Sequence, residues 1–337
     1  MDRRPSLISA FTPPDGMVGV AALMTALNAE APVLRSIFTA FTDETDAQRG
    51  MRGAATALLA LDWRADRSTL RTVPGLVVAE PVPTAWSVGS MLHAKLALLG
   101  YAADAEAPIG WLRLIVSTGN WTAASMNQQI DMLWMCDINL ADAGDRRSNA
   151  DVKAASLFFR ELLYPADGEV RLFQILPAAA PRVAELLARA GALPSGRSIS
   201  FIHSLHKPLL PQIAKRFKPG KEPWNWLCAG SGFFELPTES DPVVFARIDK
   251  ELGRHLTASA SRRIILNPTR AGALAGADLQ GWTVCKPQPH DGRDGLHAKF
   301  IAAGRRHGGG HRDIAVYLGS GNLLPRDNQD KSARQSG

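Results

Sequence analysis

The sequence predicts an α/β fold built from two similar halves packed together, and three observations predict it. Apolar runs of strand length alternate with amphipathic runs of helix length along the chain. The stretch Leu92-His93-Ala94-Lys95-Leu96-Ala97-Leu98-Leu99-Gly100 recurs as Leu296-His297-Ala298-Lys299-Phe300-Ile301-Ala302-Ala303-Gly304. Each copy is followed by a second short match, Thr118-Gly119-Asn120 and Ser320-Gly321-Asn322, in which the Asn lies 25 positions after Lys95 and 23 after Lys299. The two histidines are 204 residues apart, which is the scale of a domain duplication and not of a solenoid repeat. The halves are expected at 1–165 and 166–337, the second ending short.

Composition sets the broad class. With 337 residues, 46% hydrophobic and 21% charged, the chain suits two globular domains or one large duplicated one. Lys and Arg number 38 against 32 Asp and Glu, a formal charge of +6, which suits an anionic partner such as nucleic acid. Cys136, Cys228 and Cys285 are far apart and lack C-x-x-C spacing, so they read as buried free thiols and not as disulfides or zinc ligands. No signal peptide and no 18-residue apolar run are evident, so a cytoplasmic location without a membrane partner is expected.

The elements are expected in this order. Asp15 to Glu30 has helical spacing, through Met17, Val20, Ala21, Leu23, Met24 and Leu27. Val33 to Phe41 reads equally as strand or helix start, and Gly50 to Leu61 as helix. Arg71-Thr72-Val73 and Leu76 to Ala79 are strand material closed by Pro81 and Pro83. Met91 to Leu99 is the strand of the first motif, Leu112 to Ser117 the next, and Asp131 to Cys136 a short buried third. Asp104 to Glu106 reads as a hairpin loop and Asp142 to Asn149 as a polar loop. Ala150 to Leu163 is an amphipathic helix. Beyond a turn at Pro165 to Gly168 come a strand (Val170 to Leu176), a helix (Pro181 to Ala190), a strand (Arg197 to Leu205) and a helix (Leu209 to Phe217). Trp226 to Phe234 is a strand containing Gly230-Ser231-Gly232, Pro242 to Leu256 a helix, and Arg263 to Asn267 a strand stopped by Pro268. The second motif strand, a basic loop from Arg305 to Arg312 and a strand from Ile314 to Leu318 complete the order.

On a strand, residues i and i+2 face the same way. His93 and Lys95 are therefore expected to project together, as are His297 and Lys299, with Asn120 and Asn322 reaching the same face from neighbouring strand ends. Two such triplets face to face would enclose a pocket of fixed positive potential. Phosphoryl transfer needs one, because charge on the non-bridging oxygens is best stabilised by donors already in place. Lys95, Lys299, Asn120 and Asn322 suit that task. One imidazole would attack phosphorus, and the other would protonate the leaving oxygen and then deprotonate water. This chemistry requires no metal and no other cofactor.

The doubled His-x-Lys pattern resembles the phospholipase D superfamily. Most members carry an Asp six residues after the Lys; here those positions are Tyr101 and Arg305, and the downstream Asn looks like the tyrosyl-DNA phosphodiesterase branch. Asp131-Met132-Leu133-Trp134, Ala229-Gly230-Ser231-Gly232 and Ile264-Ile265-Leu266-Asn267-Pro268 add to the similarity, which is patchy from about Val88 to Leu324. The resemblance implies two phospholipase D-like α/β halves with a shared central active site and a phosphohistidine mechanism. By position His93 is the nucleophile and His297 the general acid/base, and Lys95, Lys299, Asn120 and Asn322 hold the phosphoryl oxygens. Asp131 stands where the family has a supporting polar side chain, usually an amide, and Ser231 where it contacts the DNA backbone. The family normally continues past the second Asn into a further strand with an acidic residue. Here Leu324-Pro325-Arg326-Asp327 leads into a polar tail, from either truncation or loss of that strand.

Of the tryptophans, Trp121 beside Asn120 is expected on the substrate side with Ser231 and Asp131, where it would stack on bases; the others read as packing. His203 and His206 lack metal-ligand companions and read as loop or core residues. His307 and His311 belong to a basic loop. The expected activity is a phosphodiesterase acting on DNA, at 3′ ends or single strands. A nuclease, a phospholipid hydrolase or transferase, and an inactive relative that only binds DNA ends are the alternatives.

Overall fold

The computed structural model describes residues 6–79, 81, 91–142, 146–163, 180–196, 199–232, 243–267, 279, 281–289, 292–293, 295–308 and 310–321. Among them the fold is mixed α/β, with three sheets and seven α-helices. The chain divides into two compact units, Met1–Met126 with Leu133–Phe201, and Asn127–Met132 with Ile202–Gly337. The expected boundary at 165/166 lies outside the described residues, as do the turn beside it and the strand expected from Val170 to Leu176.

The first unit runs β1 (Val18–Ala26), α1 (Ala31–Thr42), α2 (Asp46–Arg52), β2 (Ala57–Leu61), β3 (Leu76–Ala79), β4 (Leu96–Ala102) and β5 (Trp111–Ser117). After α3 (Ala123–Asn127) and β6 (Gln129–Ile130), it resumes with β7 (Leu133–Asn139), α4 (Arg146–Leu163) and α5 (Pro181–Ala192). Its sheet has the order β3-β2-β1-β4-β5-β7. β3, β2 and β1 are parallel, and the remaining pairs antiparallel.

Two expected helices are strands. The run from Asp15 to Glu30 is β1, and the end of Gly50 to Leu61 is β2, preceded by the short α2. The physical reason is burial on both faces. Gly19 to Ala26 and all of β2 are buried, so neither shows the polar alternation of a half-solvated strand. Ala22, Met24 and Ala26 join the core with Leu34, Ile37, Phe38 and Phe41 of α1, and Leu23 between them is equally inaccessible. α2 is set by a capping box between Thr45 and Gln48 and ends at Gly53 in the left-handed region (φ 66°). Val33 to Phe41 settles as helix α1, opened by Pro32 in its first turn. Arg71 and Thr72 belong to a 3-10 turn, Leu70–Thr72, rather than to a strand.

In the second unit, α6 (Leu209–Arg216), β8 (Trp224–Gly230), α7 (Val243–Leu252), β9 (Leu256–Ile265), β10 (Trp282–Cys285), β11 (Gly295–Leu296), β12 (Phe300–His307) and β13 (Gly310–Leu318) follow one another. The sheet order is β10-β9-β8-β12-β13, and β6 pairs separately with β11. β10, β9 and β8 are parallel, β12 is antiparallel to β8, and β13 is antiparallel to β12. That order and those directions match β3, β2, β1, β4 and β5. The core gathers Trp224 and Leu227 of β8, Phe245, Ile248 and Leu252 of α7, Ile264 of β9 and Ile301 of β12.

The basic stretch from Arg305 to Arg312 is the β12–β13 hairpin itself and not a loop between separate strands. No strand forms over 199–205, where Ser200 and Phe201 give their backbone N–H groups to the Asp151 carboxylate instead of to a ladder. None of the three cysteines is in a disulfide, and all are half-buried rather than buried. Burial still pushes the Cys228 thiol up to about 11. Among the described residues no helix is long and apolar enough to cross a membrane.

Candidate active site

The strand expected from Met91 begins later, so His93, Ala94 and Lys95 precede it. β4 begins at Leu96, and its ladder with β1 ends where Ala97 meets Met24. Over the preceding residues side chains replace the ladder. Thr25 Oγ accepts the Leu96 N–H at 3.1 Å and donates to the Ala94 carbonyl at 2.9 Å. Asp62, just past β2, accepts the Leu92 N–H at 2.6 Å. His93 and Lys95 nonetheless project together as i, i+2 neighbours. Lys95 Nζ lies 3.0 Å from His93 Nδ1 and 3.1 Å from Nε2. Lys95 is buried at 1% exposure and His93 half-buried.

Asp62 is a buried carboxylate held by Arg64. The guanidinium donates to both of its oxygens, at 2.9 and 3.2 Å, and the Arg64 N–H adds a third bond at 3.1 Å. Burial pushes the Asp62 carboxyl up. The hydrogen bonds from Arg64 and Leu92, with the Arg64 charge, outweigh it and hold the group below the ordinary carboxylate range.

Asn120 follows from register. Ser117, the last residue of β5, gives its N–H to the Lys95 carbonyl at 2.9 Å, beside the pair Leu96–Val116. The Ser117 hydroxyl then closes the turn, accepting the Gly119 N–H at 3.0 Å and donating to the Gly119 carbonyl at 3.1 Å. Asn120 is next, and its Oδ1 is buried with no hydrogen-bond partner among the described residues.

The second motif repeats this geometry in its own unit. His297, Ala298 and Lys299 lie between β11 and β12 rather than within a strand. Gly319 gives its N–H to the Lys299 carbonyl at 3.2 Å, beside the pair Phe300–Leu318. The Asn thus stands three residues past the lysine's backbone partner in both copies, despite the spacings of 25 and 23. Asn322 itself lies outside the described residues. Lys299 Nζ is 2.9 Å from His297 Nε2, and His297 Nδ1 is 2.9 Å from Asp131 Oδ1. His297 is 7% exposed and Lys299 0%. With the lysine as an ammonium, a neutral ring protonated on Nδ1 satisfies both contacts.

Asp131 is therefore a partner of an imidazole, and the sequence placed it with the substrate contacts. The segment carrying it belongs to the second unit: β6 pairs with β11, and the Ile130 carbonyl accepts the N–H groups of His297 and Ala298 at 3.0 and 2.9 Å.

Two other expected substrate contacts are fully buried. Trp121 is fully buried, donates its indole N–H to the Thr25 carbonyl at 2.9 Å and packs edge-on against Phe11. Its ring has no face left for a base. Ser231 is also fully buried, with its N–H directed at the Ile265 carbonyl at 3.4 Å. The glycine after it explains the motif. A Cβ on Gly232 would lie 2.4 Å from the Leu296 carbonyl oxygen and 3.1 Å from His297 Cα, so only glycine admits the backbone that carries the histidine.

His203 and His206 sit with ring centroids 6.4 Å apart. Among the described residues no three His, Cys, Asp or Glu side chains converge as a metal-binding group. Sequence reasoning missed Thr25, Asp62 and the role of Asn267. A charged residue directly after an apolar run, as Asp62 follows Ala57–Leu61, was the available signal, since sites in α/β sheets gather at the carboxyl ends of strands.

No family model matches the chain, and no curated protein matches it. Among solved structures, a histidine-to-alanine mutant of yeast tyrosyl-DNA phosphodiesterase aligns over 91% of this chain and 78% of its own, with 11% identity and a TM-score of 0.49. A polyphosphate kinase from Porphyromonas gingivalis aligns over 98% of this chain with 16% identity and a TM-score of 0.40. The chain thus spans about half the length of that kinase, 46% of which is covered.

Proposed function

We propose that the chain is a metal-independent phosphodiesterase that removes adducts from DNA 3′ ends through a phosphohistidine on His93. The observation that carries this reading is the doubled pair. In each unit a buried ammonium stands within hydrogen-bonding distance of the imidazole two residues before it, with the same register to a downstream Asn position.

In this reading, as the resemblance to the phospholipase D superfamily implies, both motifs serve one phosphodiester. An incoming phosphodiester draws Lys95 and Lys299 from the ring nitrogens onto its non-bridging oxygens and frees both lone pairs. A nitrogen of His93 attacks phosphorus, forming the N–P bond as the P–O bond to the adduct breaks. His297, its freed Nε2 protonated from solvent, gives that proton to the departing oxygen. In the second step Nε2 takes a proton from water, the water oxygen bonds to phosphorus, and the N–P bond to His93 breaks. Asp131 keeps Nδ1 protonated throughout, so only Nε2 exchanges protons.

The charge of +6 and the exposed Arg306, His307, His311 and Arg312 of the β12–β13 hairpin support a polyanionic substrate. Incubation with a 3′-phosphotyrosyl oligonucleotide in EDTA tests the reading. Release of tyrosine undiminished by the chelator is expected; no release, or release abolished by EDTA, overturns it. Turnover of phospholipid vesicles with no oligonucleotide cleavage would move the substrate to lipid.

A further inference from the structure

The two histidine segments share one device that their sequences do not share. The N–H of Leu92, immediately before His93, is held by a carboxylate oxygen of Asp62. The N–H of Leu296, immediately before His297, is held by the amide oxygen of Asn267, whose Nδ2 also donates to the Leu296 carbonyl at 2.8 Å. Asp62 follows β2, the parallel neighbour of β1; Asn267 follows β9, the parallel neighbour of β8. β1 and β8 in turn flank β4 and β12, the strands that begin just after each motif. Asp62 and Asn267 are thus topological equivalents acting on equivalent leucines, although one is an acid and the other an amide.

Both histidine segments lie outside the regular strands, so part of their backbone polarity must be met by side chains. At the first, the acceptor is a fully inaccessible carboxylate, affordable only because Arg64 neutralises it. At the second, an amide satisfies both the N–H and the C=O of Leu296 without a counterion. Resting on the reading that His93 and His297 handle the phosphorus, we propose that Asp62 and Asn267 are a matched pair of positioning residues. Each fixes the backbone one residue ahead of a reacting imidazole. Neither touches substrate. Misplacing a reacting group by about 1 Å costs on the order of 100-fold in rate, so each clamp governs the step its own histidine performs.

The test reads structure and chemistry separately, on the full chain. Amide exchange followed by NMR should quicken about 10-fold or more at Leu92 in Asp62→Ala and at Leu296 in Asn267→Ala, as expected for a buried N–H that has lost its acceptor. Asp62→Asn, which supplies the amide oxygen used in the other unit, should keep Leu92 protected. With the phosphotyrosyl oligonucleotide, Asp62→Ala should slow formation of the covalent intermediate about 10- to 100-fold with KM within about twofold, and Asp62→Asn should recover most of that rate. Asn267→Ala should slow both formation and breakdown with this substrate, and breakdown alone with a 3′-(p-nitrophenyl phosphate), whose leaving group needs no proton. If Asp62→Ala does not fold, Asp62→Ser, with a side chain too short to reach Leu92, replaces it. Unchanged exchange at the two leucines overturns the proposal, and so does faster exchange with both steps within about twofold of the parent. A parent that cleaves no phosphodiester overturns the reading of the preceding subsection, and the exchange arm alone then decides whether the clamps exist.

Discussion

Removing the Asp131 carboxylate should expose how His297 is used. Asp131 Oδ1 lies 2.9 Å from His297 Nδ1, and Lys299 Nζ stands 2.9 Å from Nε2 on the other side of the ring. In Asp131→Ala the ring keeps its contact to Lys299 but loses the acceptor that fixes its tautomer and its rotation. A hydrogen bond to a charged partner contributes about 1.5–3 kcal/mol, and tenfold in rate is about 1.4 kcal/mol. The variant should therefore lose roughly 10- to 100-fold in kcat with little change in KM. Asp131→Asn keeps an acceptor oxygen and should stay within about fivefold. The assay is a burst experiment with two 3′ leaving groups, p-nitrophenol and tyrosine. Nitrophenolate departs without a proton, so Asp131→Ala should show a near-normal burst followed by slow hydrolysis of the intermediate. With tyrosine both phases should be slow. An Asp131→Ala enzyme within twofold of the parent on both substrates, or a burst slowed equally for both, would refute the assignment of His297 as the proton carrier.

Three further outcomes follow from the same geometry. Lys299→Met should cost about 100-fold or more in kcat/KM, because a phosphoryl-oxygen donor is lost, while thermal unfolding shows the variant to be no less stable than the parent, since a fully buried ammonium gives way to an apolar chain of similar length. Gly232→Ala should destabilise by about 1–3 kcal/mol in urea unfolding and lower activity as well, because its Cβ would meet the Leu296 carbonyl oxygen at 2.4 Å beside His297. Asp62 carries a pH signature. Its folded carboxyl is held below the ordinary range, so its contribution to stability is complete above the unfolded value and is lost as the pH falls through the folded one. The stability gap between the parent and Asp62→Asn should therefore close as urea unfolding is repeated from pH 5 downward; a gap that widens in acid would contradict the sign.

The pairing of each histidine with the lysine two residues on was more legible in the sequence than the fold around it. His93, Lys95, His297 and Lys299 stood out because the chain spells the pattern twice. Strand positions failed where burial erased the pattern. β1 and β2 are enclosed on both faces, and their unbroken apolar runs carry no period to separate strand from helix. The burial of Trp121 and Ser231 was hidden for another reason. Each adjoins a candidate site feature in sequence, yet both are fully inaccessible. The partners of Asp62 and Thr25 were out of reach, because Leu92, Ala94 and Leu96 are 30 to 71 positions away and are held through backbone groups that no residue type reveals.

Trapping the intermediate tests the central claim most directly. The His297→Ala variant, given a 3′-(p-nitrophenyl phosphate) oligonucleotide in EDTA, should release one equivalent of nitrophenol and stall, since the leaving group needs no proton but hydrolysis of the intermediate needs the missing base. Mass spectrometry under alkaline conditions should then place the phospho-oligonucleotide on His93. Nitrophenol release with no adduct, or an adduct on any other residue, would contradict the account.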